Sequence, residues 1–273
     1  MRDLTEALLA LLTSGERGAL ATVVRTSGST PQQPGARLLL RPDGTTLGTV
    51  GGGAIEHAVI AALHEARRSG ASLVLDRNLA RDLGMCCGGR MEIFIEAIEG
   101  APRLHVFGAG HVARATAPLA RSLGFEVRVI DEREELNTVE RFPGCALDLR
   151  DAATVLRATA LGESDWVLIA THDHQLDEEV LELCLRQRPR YLGLVGSRRK
   201  LLRIAQRLSH KDPALSYERL HSPVGLDVGA VGPEEIAVSI AAELVAVRRG
   251  KMAAHARVPT LSIVVDNERE GSG

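Results

Sequence analysis

Apolar positions recur at helical spacing in MRDLTEALLALLTSGERGA, which predicts a capped amphipathic helix at the start of the chain. ALATVVRTSGS then reads as a strand running into a loop, and ARLLLRPDGTTLGTVGGG as two strands around the turn Pro42-Asp43-Gly44. Gly51, Gly52 and Gly53 lead into AIEHAVIAALHEARRSG, an amphipathic helix that ends on Gly70. SLVLDRNL is a further strand, and the alternation in MEIFIEAI is that of a half-buried one. EGAPR breaks the pattern, so a first domain is expected over 1–100 and a second over 101–273.

Beyond that break, LHVFGAG, HVARATAPLARSLG, EVRVIDE, a weak CALDL, SDWVLIATHDH, DEEVLELCLRQ, RYLGLVGS and RRKLLRIAQRL alternate strand with helix. Such alternation predicts a parallel sheet with helices on both faces. Pro233 opens a last long helix, PEEIAVSIAAELVAVRRG, where a missing N–H costs little, and a short apolar run, LSIVV, lies in the tail. The expected fold class is α/β, an amino-terminal α+β domain followed by a Rossmann-like parallel-sheet domain.

Composition narrows the functional classes. With 45% hydrophobic and 25% charged residues the chain is globular, and 3% aromatics leave aliphatic side chains to fill the core. Thirty-three Lys and Arg against 35 Asp and Glu give a net charge of −2, so no basic field recommends nucleic acid or an anionic membrane as partner. No apolar run approaches the roughly 20 residues of a spanning helix, and a cytoplasmic location is expected. Cys86, Cys87, Cys145 and Cys184 form neither an even disulfide framework nor a C-x2-C zinc pattern.

The best-defined local signal is LHVFGAGHVA followed by EVRVIDE. Gly108 and Gly110 take the first two positions of a dinucleotide fingerprint and Ala113 the third, while Asp131 falls where an acidic residue would meet a ribose hydroxyl. THDHQLD and GSRRK follow strands at their carboxyl ends. His172, Asp173, His174 and Asp177 suit a metal or proton transfer, or equally polar capping of a loop. Ser197, Arg198, Arg199 and Lys200 suit a phosphate, or an exposed cationic helix start. His221 and Asp227 lie in a glycine-rich loop that permits close approach of a ligand, or is a connector.

In the first half, Gly51, Gly52 and Gly53 place unpaired N–H groups at a helix start, with Glu56 in its first turn either as a ligand or as ordinary helix chemistry. Gln32, Gln33 and Arg37 line a pocket or decorate a turn. A disulfide between the neighbours Cys86 and Cys87 would be a strained small ring, which leaves inert burial, or a soft metal or sulfur site for which Gly88 and Gly89 clear space.

GSTPQQPGARLLLRPDG, GTVGGGAIE and CCGGRMEIFIE resemble the amino-terminal domain of the XdhC/CoxI family of molybdoenzyme accessory proteins. FGAGHVARA, ATHDHQLD, LVGSRRK and HSPVGLDVGAVGPEEIAVSIAAE resemble that family's Rossmann domain, in the same order. The resemblance implies a non-enzymatic chaperone that binds the molybdenum cofactor (molybdopterin), protects its sulfurated form and delivers it to xanthine dehydrogenase or a related molybdenum hydroxylase. Its implied partners are the apo-enzyme and a cofactor sulfurase, and its implied assembly a homodimer. Cys86 or Cys87 would then be the thiol near molybdenum, and a family pattern with one cysteine before the two glycines favours Cys87. The helix start at Gly51–Gly53 and the loop Gly108, Gly110 and His111 would cradle phosphate, and Glu56 would meet the donor-rich pterin edge. The competing expectations are an NAD(P)-dependent oxidoreductase and a nucleotide-sensing Rossmann module.

Overall fold

A computed structural model describes residues 2–85 and 88–251. The chain divides between Pro102 and Arg103 into two compact units.

The first unit is a five-stranded antiparallel sheet. Its strands are β1 (Arg17–Ser27), β2 (Arg37–Leu40), β3 (Thr46–Gly48), β4 (Leu73–Asn78) and β5 (Arg90–Glu99), in the order β3-β2-β1-β5-β4. Side chains alternate across a strand, and both faces are used. Ala19, Ala21, Val23, Leu38 and Leu40 pack under Ile55, Val59 and Leu63 of α2 (Gly53–Ser69). Leu20 and Leu39 point the other way, onto Leu4 and Leu11 of α1 (Arg2–Ser14). The three successive leucines of β2 are thus buried on both sides. The Pro42-Asp43-Gly44 turn closes as Asp43 accepts from the Thr45 N–H and hydroxyl. A short helix that the hydrophobic pattern does not announce, α3 (Leu79–Leu83), follows β4; Asn78 caps its start and Gly84 its end.

The second unit is a six-stranded, all-parallel sheet built from β6 (Arg103–Phe107), β7 (Glu126–Ile130), β8 (Ala146–Asp148), β9 (Asp165–Ile169), β10 (Tyr191–Leu194) and β11 (Leu220–His221). The spatial order β8-β7-β6-β9-β10-β11 is that of a Rossmann sheet, with the topological switch between β6 and β9. Val167, Ile169, Leu192 and Leu194 face α5 (Ala152–Ala158), α6 (His174–Leu185) and α7 (Arg198–Lys211). Leu104, Val106, Trp166 and Leu168 face α4 (His111–Ser122) and α8 (Pro233–Arg248). Burial on both faces accounts for the continuous apolar runs of these strands. The helix α5 and the two-residue edge strand β11 are the elements here that periodicity misses. Among the described residues no helix is long and apolar enough to cross a membrane.

One polar group inside this core is costly by itself. Glu243 of α8 is fully buried, and its Oε1 accepts from the Tyr191 hydroxyl (2.5 Å) and the Gly225 N–H (3.2 Å). Burial and the neighbouring carboxylate push the Tyr191 phenol well above its ordinary pKa, so it remains a donor. His221 stacks on Tyr191 with ring centroids 4.6 Å apart. Removing one partner of such a group leaves a desolvated acceptor, at a cost of about 1–3 kcal/mol. Tyr191→Phe is therefore expected to lower unfolding free energy by about that amount in urea titration. An unchanged midpoint would contradict the role given to this contact.

Candidate functional site

In the first unit, three segments far apart in sequence meet at close range. Gly51 lies against Pro31, where an added Cβ would stand 2.5 Å from Pro31 Cγ. Gly89 lies against the loop after β1, where a Cβ would be 2.4 Å from the Ser29 carbonyl oxygen and 2.7 Å from that of Ser27. The Gly89 N–H donates to Ser29 O at 3.1 Å, and its carbonyl accepts from Leu79 N at 2.8 Å. Gly88 differs, because it is exposed and a Cβ there would meet no described residue beyond its chain neighbours within 4 Å. Cys86 and Cys87 lie outside the described residues. On their amino-terminal side, Met85 N donates to Leu79 O at 3.0 Å. Gln32 is half-buried, whereas Gln33 and Arg37 are exposed.

The expected anion cradle before α2 is closed from within. The Val50 and Gly52 N–H groups and the Thr49 hydroxyl all donate to Glu56 Oε2, and the Gly51 N–H donates to Thr49 Oγ1. The Thr49 hydroxyl above all holds the Glu56 carboxyl below the usual range, against the opposing effect of burial. Glu56 therefore fastens the Thr49–Gly52 turn with its own negative charge, and of the three glycines only the N–H of Gly53 is left outside this network. Its Oε2 cannot also read a pterin edge.

In the second unit, the loops after β6 and β9 meet at the switch point. Gly108 has φ +111°, and a Cβ on it would lie 2.3 Å from the Ala170 carbonyl oxygen. Gly110 caps α4 with φ −73°, and its nearest Cβ neighbour would be Ala170 O at 4.0 Å. Folding therefore requires glycine at 108 and not at 110. His111 is exposed on the first turn of α4.

Asp131 does not stand ready for a ribose. Oδ2 accepts from the Ala109 N–H (2.7 Å) and Arg133 Nη2 (2.6 Å), and Oδ1 from the Arg133 N–H (3.0 Å) and Nε (2.9 Å). A carboxylate offers about four lone-pair sites, and all are engaged. Burial pushes its pKa up, but the donors from Arg133 and Ala109 outweigh that and hold the carboxyl below its usual range. The fingerprint glycines are present, then, while the acid that completes the fingerprint ties its own loop in place.

The THDH segment is likewise inward-looking. Asp173 caps α6, accepting from Gln175 N and Leu176 N. The Asp177 carboxylate is buried, takes the Thr171 N–H and hydroxyl, and pairs with Lys200 Nζ, which also donates to Val195 O. This pair braces the loop after β9 against the loop after β10, and Gly196 makes room for the Lys200 stem. His172 and His174 are exposed. Among the described residues no three His, Cys, Asp or Glu side chains are arranged to hold a metal, which corrects the metal expectation for this segment.

Ser197 caps α7 through Lys200 N, while Arg198 and Arg199 project into solvent without a partner among the described residues. His221 is buried against Tyr191, with Nδ1 3.7 Å from Glu243 Oε2, and so does not face an open site. Asp227 is exposed in the loop before α8. Burial raises the pKa of the remaining free thiols, Cys145 and Cys184, and disfavours their thiolates.

Between the carboxyl ends of β7 and β9 lies a cleft of about 350 Å³, its open mouth included. Gly108, Ile130, Asp131 and Glu132 line one side, and Asp151, Ala152, Thr171, His172 and Leu176 the other. Glu132 was not singled out by the sequence; its signal is its place directly after the strand-end acid Asp131.

The glycines separate by what the fold demands. Gly89→Ala and Gly108→Ala are expected to lose more than about 2 kcal/mol by urea unfolding, because backbone oxygens cannot move aside. Gly88→Ala and Gly110→Ala should remain within about 1 kcal/mol of the parent. Equal losses in all four variants would remove the distinction.

Comparison with known proteins matches residues 104–244 to the family model described as XdhC Rossmann domain and residues 11–78 to that of the XdhC and CoxI family. A relative from Escherichia coli K12, called uncharacterized protein YqeB, is 40% identical over 238 residues, 84% of this chain and 43% of its own length. A Bacillus subtilis 168 protein, described as a probable subunit of xanthine dehydrogenase, is 38% identical over 58% of this chain and 46% of its own length. This chain thus spans less than half the length of those two relatives. The molybdenum cofactor insertion chaperone PaoD of Escherichia coli K12 is 24% identical over 91% of this chain and 87% of its own. A solved structure described as a xanthine dehydrogenase from Bacillus halodurans shares the fold, with a TM-score of 0.53, 23% identity and coverage of 91% of this chain and 96% of that one. Because the Rossmann-domain match alone spans more than half of its residues, the chain belongs to the XdhC and CoxI family.

Proposed function

We propose that this protein is an accessory factor of molybdenum-enzyme maturation that binds the molybdenum cofactor as cargo and delivers it to a hydroxylase of the xanthine dehydrogenase type. The names of two relatives, an insertion chaperone and a probable component of xanthine dehydrogenase, support this reading. The observation that carries it is the treatment of the chain on either side of Cys86 and Cys87. Met85 is tied to Leu79, and Gly89 is pressed onto Ser29 where no side chain fits, while Gly88 is left open although none of the described residues packed around it requires a glycine. A glycine that packing does not need suits a bulky group coming close to the backbone beside a thiol.

In this reading Cys87 supplies a soft thiolate to the metal–sulfur end of the cargo. Gly110 leaves the backbone at the start of α4 open to a phosphate. Protection of a sulfurated cofactor, receipt of it from a sulfurase, homodimer formation and a cytoplasmic location belong to the same proposal. The oxidoreductase alternative loses its main sequence support, since Asp131 has no acceptor left for a ribose hydroxyl.

The test is retention of purified cofactor under anoxic conditions, followed by gel filtration and molybdenum analysis. Cys87→Ala is expected to weaken retention at least about tenfold, equivalent to ~1.4 kcal/mol, with the circular dichroism spectrum unchanged. Cys86→Ala should have the smaller effect. Undiminished retention by Cys87→Ala would overturn the role of that thiol.

A further inference from the structure

We infer that the outward face of α8 is a self-association surface, on which two copies of the chain lay their α8 helices antiparallel about a two-fold axis at Ala242.

The observation that points to it is a helix turned inside out. Between Glu235 and Arg248 the chain runs IAVSIAAELVAV, twelve residues of which only Ser239 and Glu243 are polar. Both are buried, beside Ala237, Ile240 and Leu244. The side of α8 turned away from the sheet therefore carries no polar group over about three turns. Val238 is 58% exposed there and Ala242 is exposed, with Ala241, Val245 and Ala246 half-buried. Val231, just before the helix, is 79% exposed. A surface helix ordinarily shows polar residues to solvent, and one that is apolar all round is a buried one.

The charges at its two ends select the occupant. Glu235, Val238, Ala242, Val245 and Arg249 follow one another at alternating spacings of three and four residues, the seam of a helix pair. This seam is symmetric in position and opposite in charge, since Ala242 is seven residues from Glu235 and seven from Arg249. A second α8 laid antiparallel across Ala242 sets Glu235 against Arg249 of the second copy and Val238 beside its Val245, and the two-fold repeats both contacts. The end groups are available for this. Arg249 and Glu234 are exposed and have no hydrogen bond or ion pair with a described residue. Glu235 Oε2 accepts from the Val231 N–H (2.6 Å), which leaves its other oxygen. Arg248 is engaged at home, donating to the Leu123 carbonyl (2.7 Å) and lying over the Phe125 ring. Small side chains at the axis allow the helices to approach to the usual distance of about 8–10 Å, and antiparallel helices oppose their dipoles. A different protein would match the apolar stripe alone, whereas the mirrored ends are what a second copy of the same helix needs.

In naming a second copy this inference rests on the homodimer of the proposed function and gives it a surface; it makes no use of the cargo. Full-length protein without cofactor is followed by sedimentation velocity across the micromolar range. A reversible monomer–dimer equilibrium is expected, because one helix pair buries less than the roughly 1,200 Å² of a standard interface. Ala242→Glu sets two carboxylates face to face on the axis and should weaken the dimer at least about tenfold, with the circular dichroism spectrum unchanged. Glu235→Lys and Arg249→Glu should each weaken self-association about fivefold. A mixture of these two variants should associate like the parent, since the mixed pair restores opposite charges at both ends, and a misfolded chain is not rescued in this way. A parent that stays monomeric, a dimer unaltered by Ala242→Glu, or a mixture no tighter than its components would overturn the surface. If Ala242→Glu instead abolishes binding of a molybdenum hydroxylase apo-enzyme by a monomeric parent, the face belongs to that partner and self-pairing is overturned. Cofactor retention by the cysteine variants is a separate readout. A monomeric chain that retains cofactor removes this surface and the homodimer and keeps the cargo reading, and a dimer broken by Ala242→Glu supports the surface whether or not the chain retains cofactor.

Discussion

Gly108 rests its backbone against the carbonyl of Ala170, and a single methyl group there would stand 2.3 Å from that oxygen. The approach brings the loops after β6 and β9 together at the switch point, where open parallel sheets present their ligand crevice. From it follow the start of α4 at Gly110, the reach of Ala109 to Asp131, and the cleft bordered by both loops. The first unit uses the same device once more. Gly89 against the Ser29 backbone and Gly51 against the Pro31 ring draw three distant segments to one place, again with no room for a methyl group on either glycine.

Carboxylates near these junctions act as fasteners. Glu56 collects the Thr49 hydroxyl and two N–H groups of its turn, and Asp131 the Ala109 N–H and the Arg133 fork. Asp177 holds Thr171 and Lys200 across two strand ends, and Glu243 ties Gly225 to Tyr191. A buried carboxylate is tolerated when its lone pairs are met, and Asp131 and Asp177 meet theirs by ordering a loop, whereas Glu243 Oε2 has no hydrogen-bond partner among the described residues. Groups left for a ligand are then the ones the scaffold does not use: Glu132, His172, Arg198, Arg199 and the backbone at Gly88 and Gly110.

The amino-acid sequence exposes the layering well. Strand alternation in MEIFIEAI, the helix period after Gly53 and the strand–helix alternation beyond Arg103 correspond to β5, α2 and the parallel sheet. Short elements escape it, since α3, α5 and β11 span too few residues to establish a period and are fixed by caps such as Asn78 and Asp151 or by edge pairing. Candidate chemistry was legible as position and not as role. A sequence marks Asp131, Asp177 and Glu56 as acids beside glycine-rich or polar loops, but whether such an acid meets a ligand or its own backbone depends on angles that only the folded loop supplies. The same limit applied to the glycines, whose requirement at 89 and 108 and freedom at 88 and 110 arises from partners elsewhere in the chain.

The proposed cargo role suits a scaffold that secures its loops internally and leaves the backbone at Gly88 open. The most direct measurement is the molybdenum and pterin content of the full-length protein purified without oxygen from a host that makes the cofactor. The account requires both in equal amounts, comparable to the amount of chain. Protein free of both, while the same host loads its molybdenum enzymes normally, would contradict it.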